Sequence, residues 1–197
     1  MKRLQAVVFL FASIIFSSIA YASPTEGEQY SILDNPYSTD HQIDKFFSLT
    51  CTPCWQMTEL LKDKEQSGEL VLHRTHVIFN ESTLQAASLY YTVLVQQPNL
   101  SHELLNELFS LVQTNSPLQQ ADIDVFFKKH NLVTQENMTK SQQQEWATYV
   151  KDAADKTEQT AIVSIPSFII NGRYMVNLRG HSSMDELLET LKYLSDL

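Results

Sequence analysis

Cys51 and Cys54 are the only cysteines in the chain of 197 residues, and two residues separate them. Their sulfurs are placed to form a disulfide, to exchange one with another protein, or to supply half of a metal site. A scaffold held by several disulfides is excluded, because such folds need more cysteines. A zinc or iron–sulfur site with four cysteine ligands is excluded for the same reason.

The cysteine pair lies where a predicted strand, Gln42–Leu49, gives way to a predicted helix, Pro53–Lys64. Cys51 is expected at the helix N-terminus, where amides without a helical partner and the positive end of the helix dipole favour a thiolate. Pro53 suits the first helical turn, since its nitrogen has no hydrogen to leave unpaired. Cys54 is expected one turn further on, buried and close enough to bond with Cys51.

A redox disulfide competes with two other interpretations of this pair. In the loop-entropy model a very short loop gives a structural bridge only about 2 kcal/mol, against about 4.7 kcal/mol for a 100-residue loop. A metal site would need two more ligands, and the nearest candidates are His73 and His76 on the predicted strand Leu70–Phe79. Strand residues three apart face opposite sides, so these two cannot converge on one ion. The pattern therefore favours the redox interpretation.

The N-terminal segment has the pattern of a secretory signal peptide. Lys2 and Arg3 precede an apolar run that ends in Ala20-Tyr21-Ala22, which supplies the small residues that flank a cleavage bond. The alternative is an uncleaved anchor, but a run of roughly 17 residues is at the short limit for spanning a bilayer. We therefore expect cleavage after Ala22 and export to an oxidising compartment, where a disulfide persists.

Composition narrows the class of protein further. Hydrophobic residues make up 43% of the chain and charged residues 19%, as in globular proteins. The net charge of −9 gives no electrostatic footprint for nucleic acid. Four glycines are too few for an all-β fold with many tight turns. The length suits one domain, with room for an insertion.

Strand patterns occur near both ends of the exported chain. Glu28–Leu33 is a short strand candidate before the cysteines, and Ser167–Ile170 and Tyr174–Leu178 follow near the C-terminus. Asn171-Gly172 joins the last two and is the strongest hairpin signal in the sequence.

The segment between these strands is predicted to be all-helical. Residues 83–158 contain no glycine, and their apolar residues recur at helical spacing. Ser183 is expected to cap a final helix, with Glu186 as its capping-box partner. The order of elements predicts an α/β fold in which one helical block interrupts the sheet. The helical patterns within the block begin at Leu84 and continue through Leu100–Leu111, Asp122–Lys129 and Thr139–Lys156.

With these elements in place, the sequence resembles the DsbA family of thiol:disulfide oxidoreductases, which have a thioredoxin fold with an inserted all-helical domain. The similarity runs from Glu28 to Ser195, and its most specific parts surround the cysteines and the C-terminal hairpin. The segments that carry it are Gln29-Tyr30, Phe46-Phe47-Ser48, Cys51-x-x-Cys54, His76-Val77, Trp146, Ile165-Pro166, Asn171-Gly172-x-Tyr174 and Lys192-Tyr193-Leu194-Ser195.

The resemblance implies a division of the chain and roles for four residues. Residues 1–22 would be the cleaved signal peptide, 23–80 and 159–197 the thioredoxin-like domain, and 81–158 the inserted helical domain. The catalytic pair would comprise an exposed nucleophile and a buried resolving thiol, and a cis-proline loop would bind the substrate backbone. These roles would fall to Cys51, Cys54, Pro166 and the preceding Ile165, whose aliphatic side chain is typical of the oxidases of this superfamily.

The resemblance also implies a place and partners. A periplasmic, monomeric enzyme would pass its disulfide to reduced, unfolded exported proteins and be reoxidised by a membrane partner of the DsbB type. No metal or organic cofactor is expected. The alternatives are a disulfide isomerase or reductase that is kept reduced, and a peptide-binding chaperone with an incidental disulfide.

The residues between the cysteines depart from the family. The familiar DsbA pair is proline then histidine, whereas this chain has Thr52 then Pro53. No imidazole then stabilises the Cys51 thiolate, so we expect a weaker oxidant than the typical family member.

A second departure lies on two neighbouring strands. Lys45 stands where family members often carry a glutamate, and Arg74 aligns with their lysine. Two cations would then face each other beneath the cysteines, where they could favour a nearby thiolate. The alternative is that both side chains reach water and have no effect. Asp44 is adjacent but should point to the other face of its strand.

Overall fold

The computed structural model describes residues 23–115 and 117–197. The predicted signal peptide, residues 1–22, lies outside the described residues. The strands and helices follow one another in the order that the sequence predicts. A run of helices lies between the third and fourth strands. In chain order the elements are β1 (Tyr30–Ile32), β2 (Ile43–Phe47), α1 (Thr52–Gln66), β3 (His73–His76), α2 (Glu81–Gln96), α3 (His102–Thr114), α4 (Gln120–His130), a 3-10 turn (Gln135–Asn137), α5 (Lys140–Gln159), β4 (Ser167–Ile170), β5 (Tyr174–Val176), a second 3-10 turn (Leu178–Gly180) and α6 (Met184–Ser195).

The strands form one mixed sheet in the order β1-β5-β4-β2-β3. β2 lies inside it, parallel to β3 and antiparallel to β4, and every residue of β2 is buried. In this ladder Lys45 lies opposite Arg74 on β3 and Phe168 on β4. The carboxyl end of β2 leads through a short loop into α1, and this connection carries the cysteines.

The inserted helices α2–α5 share an apolar core with the sheet. Phe47 at the end of β2 makes edge-to-face contacts with Tyr90 on α2 and Phe109 on α3, with ring centroids 5.1 and 5.9 Å away. Leu105 and Leu108 on α3 belong to the same cluster. These contacts dock the insertion onto the carboxyl end of β2, beside the cysteines.

The predicted thioredoxin fold with a helical insertion is confirmed, and the differences are local. β3 is limited to the four residues that pair with β2, so the predicted strand Leu70–Phe79 was too long at both ends. The domain boundaries at 80/81 and 158/159 stay a prediction. Among the described residues no helix is both long and apolar enough to cross a bilayer.

Two predicted turn and cap signals are found. Asn171 and Gly172 have φ angles of 52° and 62°, the left-handed values that their residue types favour in a hairpin turn. Ser183 caps α6 by accepting a hydrogen bond from the Glu186 amide at 3.1 Å. The reciprocal half of the predicted capping box is wrong, because the Glu186 carboxylate accepts from the amide and hydroxyl of Ser182 instead.

Candidate active site

A disulfide joins Cys51 and Cys54 at the start of α1, with their Cα atoms 5.2 Å apart. Cys51 is the N-cap residue, and its sulfur accepts a hydrogen bond from the Cys54 amide at 3.1 Å. Cys51 is partly exposed, whereas Cys54 is fully buried. A thiolate from another molecule therefore has access to the Cys51 sulfur, and the Cys54 sulfur is the buried leaving group.

The two intervening residues form the first turn of α1. Thr52 and Pro53 are both exposed, and the proline stands at one of the first two helical positions as expected. The Thr52 hydroxyl donates a hydrogen bond to the Gln113 side-chain oxygen at 2.9 Å. Neither residue is basic, so the charge on a Cys51 thiolate would be balanced by backbone amides and the helix dipole.

The loop before β4 lies against the disulfide. The Ile165–Pro166 peptide bond is cis, and the Cys51 sulfur lies 3.7 Å from the Ile165 carbonyl oxygen. The Ser167 hydroxyl donates to the Ser164 carbonyl at 2.7 Å and so ties the loop to the start of the strand. The neighbouring Val163 is 92% exposed. The structure thus places Ile165 and Pro166 next to Cys51, where the resemblance puts them.

Gln113 on α3 holds the loop on both sides of Cys51. Its side-chain nitrogen donates to the Leu49 carbonyl at 2.9 Å, while its oxygen accepts from Thr52. The insertion therefore orients the cysteine loop as well as covering it. Sequence reasoning missed Gln113, because no local pattern marks one glutamine within a helical segment so far along the chain.

His76 at the end of β3 is a second support of this loop. Its Nε2 accepts from the Leu49 amide and its Nδ1 donates to the Val77 carbonyl, each at 2.9 Å. Burial lowers the pKa of His76 to about 3, so the ring stays neutral and keeps both bonds. His73 points away from it and stacks on His41, with ring centroids 3.8 Å apart. The prediction that His73 and His76 do not converge is confirmed.

Lys45 and Arg74 are neighbours in the β2–β3 ladder but have different partners. The Arg74 guanidinium donates to both oxygens of Glu65 on α1, at 2.5 and 2.7 Å. Lys45 is fully buried, and its Nζ donates to the Thr58 hydroxyl at 2.7 Å. The alternative in which both side chains reach water is therefore wrong for Lys45. Burial, with a smaller contribution from Arg74, lowers the pKa of Lys45 to about 7.

Asp44 points to the opposite face of β2, as expected from strand alternation. Its carboxylate accepts from the Tyr37 hydroxyl at 2.5 Å and lies 3.5 Å from the Lys156 ammonium. These groups lie across the sheet from the disulfide. They bind the sheet to α5 and add no charge beside the cysteines.

Trp55 docks α1 onto the insertion. Its ring stacks on Phe109 with centroids 5.8 Å apart, and its Nε1 donates to the Asn106 side chain at 2.8 Å. A half-buried aromatic ring with a satisfied N–H combines apolar packing with orientation. Trp55 therefore fixes the α1–α3 contact that brings Gln113 to the cysteine loop.

The comparison with known proteins agrees with this geometry. The family model described as Thioredoxin matches residues 37–192, which include the disulfide and the cis-proline loop. The chain belongs to the thioredoxin family. The thiol:disulfide interchange protein DsbA of Salmonella typhimurium is 27% identical over 209 residues, which cover 95% of this chain and 96% of the relative. DsbA of Escherichia coli strain K12 is 25% identical and covers 93% and 94%.

Solved structures show the same fold. DsbA of Klebsiella pneumoniae superimposes with a TM-score of 0.68 at 17% identity and covers 90% of this chain and 100% of that one. DsbA of Proteus mirabilis, solved with the non-covalently bound peptide PWATCDS, gives 0.66 at 21% identity and covers 89% and 96%. With the cysteine pair in place, the chain is a DsbA-like thiol:disulfide oxidoreductase.

Proposed function

We propose that this thiol:disulfide oxidoreductase donates its Cys51–Cys54 disulfide to reduced, unfolded exported proteins in the periplasm. The observation that carries the proposal is the asymmetry of the pair. The Cys51 sulfur is partly exposed beside the cis-proline loop, whereas the Cys54 sulfur is buried. Donation by exchange needs one sulfur that a substrate can reach and one that leaves.

The transfer takes two displacements. A substrate thiolate attacks the Cys51 sulfur, a new disulfide forms between the two proteins, and the electron pair of the broken bond leaves on Cys54. A second substrate thiolate then attacks the substrate sulfur of this mixed disulfide and releases Cys51. The substrate is oxidised by two electrons and the cysteine pair is reduced by two. The Cys54 amide and the start of α1 stabilise the Cys51 thiolate at this point.

Ile165 and Pro166 are the proposed substrate-binding residues. Their loop lies against the Cys51 sulfur, so an extended peptide on the loop would present its cysteine to that atom. A peptide with a cysteine is bound in the Proteus mirabilis DsbA structure. The exposed Val163 extends the loop with an apolar side chain. An unfolded chain supplies both the extended backbone and the apolar residues that such a surface binds.

The location and the source of oxidising equivalents follow from the resemblance. The signal peptide would deliver the chain to the periplasm as a monomer, and a DsbB-type membrane partner would reoxidise the cysteine pair. Every electron passes between sulfurs, so the exchange needs no metal or organic cofactor.

Refolding of reduced RNase with the oxidised protein tests the proposal. We expect disulfides to appear in RNase in step with their loss from the protein, and the Cys51→Ala variant to be inactive. An isomerase or reductase would instead repair scrambled RNase or reduce insulin faster than it oxidises, and thiol trapping in cells would find the pair reduced. A chaperone would keep its activity in Cys51→Ala.

A further inference from the structure

The inserted helices carry an open groove that the exchange steps described above do not use. It is a cavity of about 530 Å³ between α2, α4 and α5. Its walls include half-buried apolar side chains from three helices and the segment before α4, namely Leu84, Leu118, Ile123 and Trp146. The buried Phe127 also lines it and connects it to the core of the insertion. Apolar side chains are therefore left in contact with solvent along one concave surface.

Trp146 is a fixed wall of this groove. Its Nε1 donates to the Ser88 carbonyl at 3.2 Å, so the ring on α5 is tied to α2. Ser88 lines the same cavity. A side chain held in this way has little freedom left to lose when a ligand covers it, which lowers the entropic cost of binding. The groove is therefore formed before any ligand arrives.

A second cavity joins the groove to the disulfide. It has a volume of about 470 Å³, and it is lined by Thr52 and Gln113, the hydrogen-bonded pair next to Cys51. Gln85 and Leu118 line both cavities, so the two adjoin at these residues. The described residues that line the second cavity are all uncharged. A chain that leaves the Cys51 sulfur on this side meets uncharged groups first and the apolar groove beyond them.

The position of the strands separates this path from the cis-proline loop. β4 and β3 flank β2 on opposite sides in the sheet. The Ile165–Pro166 loop precedes β4, whereas α2 follows β3. The cysteine loop that follows β2 therefore lies between the cis-proline loop and the start of α2. A substrate chain bound through Cys51 can contact one of these surfaces on each side of its own cysteine.

The length of α2 sets the scale of the path. Ser82 lines the second cavity, and Thr92, ten residues further along the same helix, lines the groove. Ten helical residues rise about 15 Å, which about five residues of extended chain would cover. An apolar side chain about five residues from a substrate cysteine would therefore reach the groove while the cysteine is at the Cys51 sulfur.

The charges at the groove restrict what it can bind. Glu81 and Glu136 are the charged groups among its described lining residues. Two carboxylates beside an apolar surface disfavour an acidic segment. A folded protein keeps most of its large apolar side chains inside, whereas an unfolded chain can present one on an extended backbone. The groove therefore fits an apolar, non-acidic segment of an unfolded protein.

We propose that this groove binds an apolar side chain of the reduced substrate protein, about five residues from the cysteine that attacks Cys51. The proposal rests on the function proposed above, and it adds a sequence feature of the substrates that react fastest. The contact would hold the substrate chain on the insertion while its thiolate exchanges at the disulfide. Substrate cysteines without an apolar residue at this distance would react more slowly.

The test measures how fast model peptides attack Cys51. In Cys54→Ala, Cys51 is converted to its mixed disulfide with thionitrobenzoate, and each peptide thiolate displaces this coloured thiol. The peptides carry one cysteine in a serine–glycine background and one leucine at increasing distances from it, on either side. On one side only, leucine about five residues from the cysteine should raise the rate constant about fivefold over serine at that position. A leucine at twice that distance should have no effect.

Three variants make the result specific to the groove. Ile123→Gln makes one wall polar and should abolish the ratio between the leucine and serine peptides. Val125→Gln, at a position on α4 that is 69% exposed and outside the lining of the groove, is the matched control and should keep the ratio. Gln85→Tyr narrows the junction between the cavities at an exposed position and should lower the ratio without disturbing the core.

Trp146 gives a direct readout of the same contact. In the mixed disulfide of Cys51 with the leucine peptide, the tryptophan emission should move to shorter wavelength than in the mixed disulfide with the serine peptide, because the leucine excludes water from the ring. The contribution of Trp55 is common to the two complexes.

Equal ratios for Ile123→Gln and Val125→Gln would overturn the proposal. Leucine that accelerates the reaction equally at every distance, or on both sides of the cysteine, would overturn it as well. Self-association of the parent protein that is lost in Ile123→Gln would show that a second copy of the chain occupies the groove instead.

Oxidation of RNase separates this proposal from the function on which it rests. Displacement of thionitrobenzoate does not depend on the direction of exchange in cells. A protein that shows the leucine effect but fails to oxidise RNase would refute the proposed function alone. A protein that oxidises RNase without a leucine effect would refute the role of the groove alone.

Discussion

Lys45 and Arg74 occupy opposite positions in the β2–β3 ladder, yet Arg74 binds a carboxylate and Lys45 binds a hydroxyl. Glu65 on α1 accounts for the difference, because it binds the guanidinium through both of its oxygens. Lys45 is left beneath the first turns of α1 with Thr58 as its partner. From the sequence, Lys45 and Arg74 were expected to be two opposed cations. In the structure, Arg74 forms an ion pair with Glu65, and Lys45 is a buried amine beside it.

Lys45→Met is expected to stabilise the oxidised protein below pH 10. Burial lowers the pKa of Lys45 from 10.5 to about 7, so the unfolded chain binds a proton between these values that the folded chain does not. Lys45 therefore costs no stability above pH 10.5. The free energy of unfolding decreases as the pH falls from 10.5 to 7, because the unfolded chain takes up a proton that the folded chain does not. The variant should gain about 5 kcal/mol at pH 6 and almost nothing at pH 10.5, as measured by urea unfolding. An equal gain at both pH values would contradict the assignment.

His76→Leu is expected to destabilise the protein and to loosen the cysteine loop. The variant loses the acceptor for the Leu49 amide, at a cost of about 2 kcal/mol for a buried donor left unpaired. Burial lowers the pKa of His76 from 6.5 to about 3, so the parent loses stability as the pH falls through this window. The variant should lack this part of the acid dependence in unfolding experiments. His41→Leu, at an exposed position, is the matched control and should keep this acid dependence.

Replacing Thr52-Pro53 by Pro-His should make the protein more oxidising. A histidine beside the Cys51 sulfur stabilises its thiolate and thus the reduced form. One unit of decrease in the pKa of Cys51 corresponds to about 30 mV in this two-electron couple, and we expect a rise of about 30 to 60 mV. Equilibration with glutathione measures the potential. A parent protein already as oxidising as the most oxidising DsbA proteins would refute the idea that the dipeptide weakens it.

Gln113→Leu is expected to slow exchange with little loss of stability. The variant removes both hydrogen bonds that link α3 to the loop around Cys51, at a cost of about 1 kcal/mol. The rate of RNase oxidation should fall several-fold because the Cys51 sulfur is less well oriented. Gln144→Leu, at an exposed position on α5, is the control. Equal rates for the two variants would show that Gln113 does not position the loop.

The features that the sequence predicted well are local or have strong chemical preferences. Local backbone preferences were enough to place three features: the cysteines at the start of α1, the proline in its first turn and the hairpin at Asn171-Gly172. Strand alternation was enough to place Asp44 and Lys45 on opposite faces of β2. Helical spacing could also have found Thr58, which lies four residues after Cys54 on the same face of α1.

The features that the sequence left open depend on contacts between distant segments. Whether Lys45 reaches water is decided by α1, which covers it, and by Glu65, which takes up Arg74. Gln113 and the Leu49 amide meet their partners only once the insertion and β3 are in place. No local pattern marks such residues, because their neighbours are set by the tertiary fold.

The contact of Phe47 with Tyr90 and Phe109 limits how this protein can be shortened. A truncated version in which a short loop replaces α2–α5 would keep the cysteine dipeptide and the cis-proline segment. It would also expose the end of β2 to solvent and remove the glutamine that steadies the nucleophile. The inserted helices therefore cannot be exchanged independently of the sheet. Helices taken from another DsbA would have to pack their aromatic residues closely against Phe47, as Tyr90 and Phe109 do here.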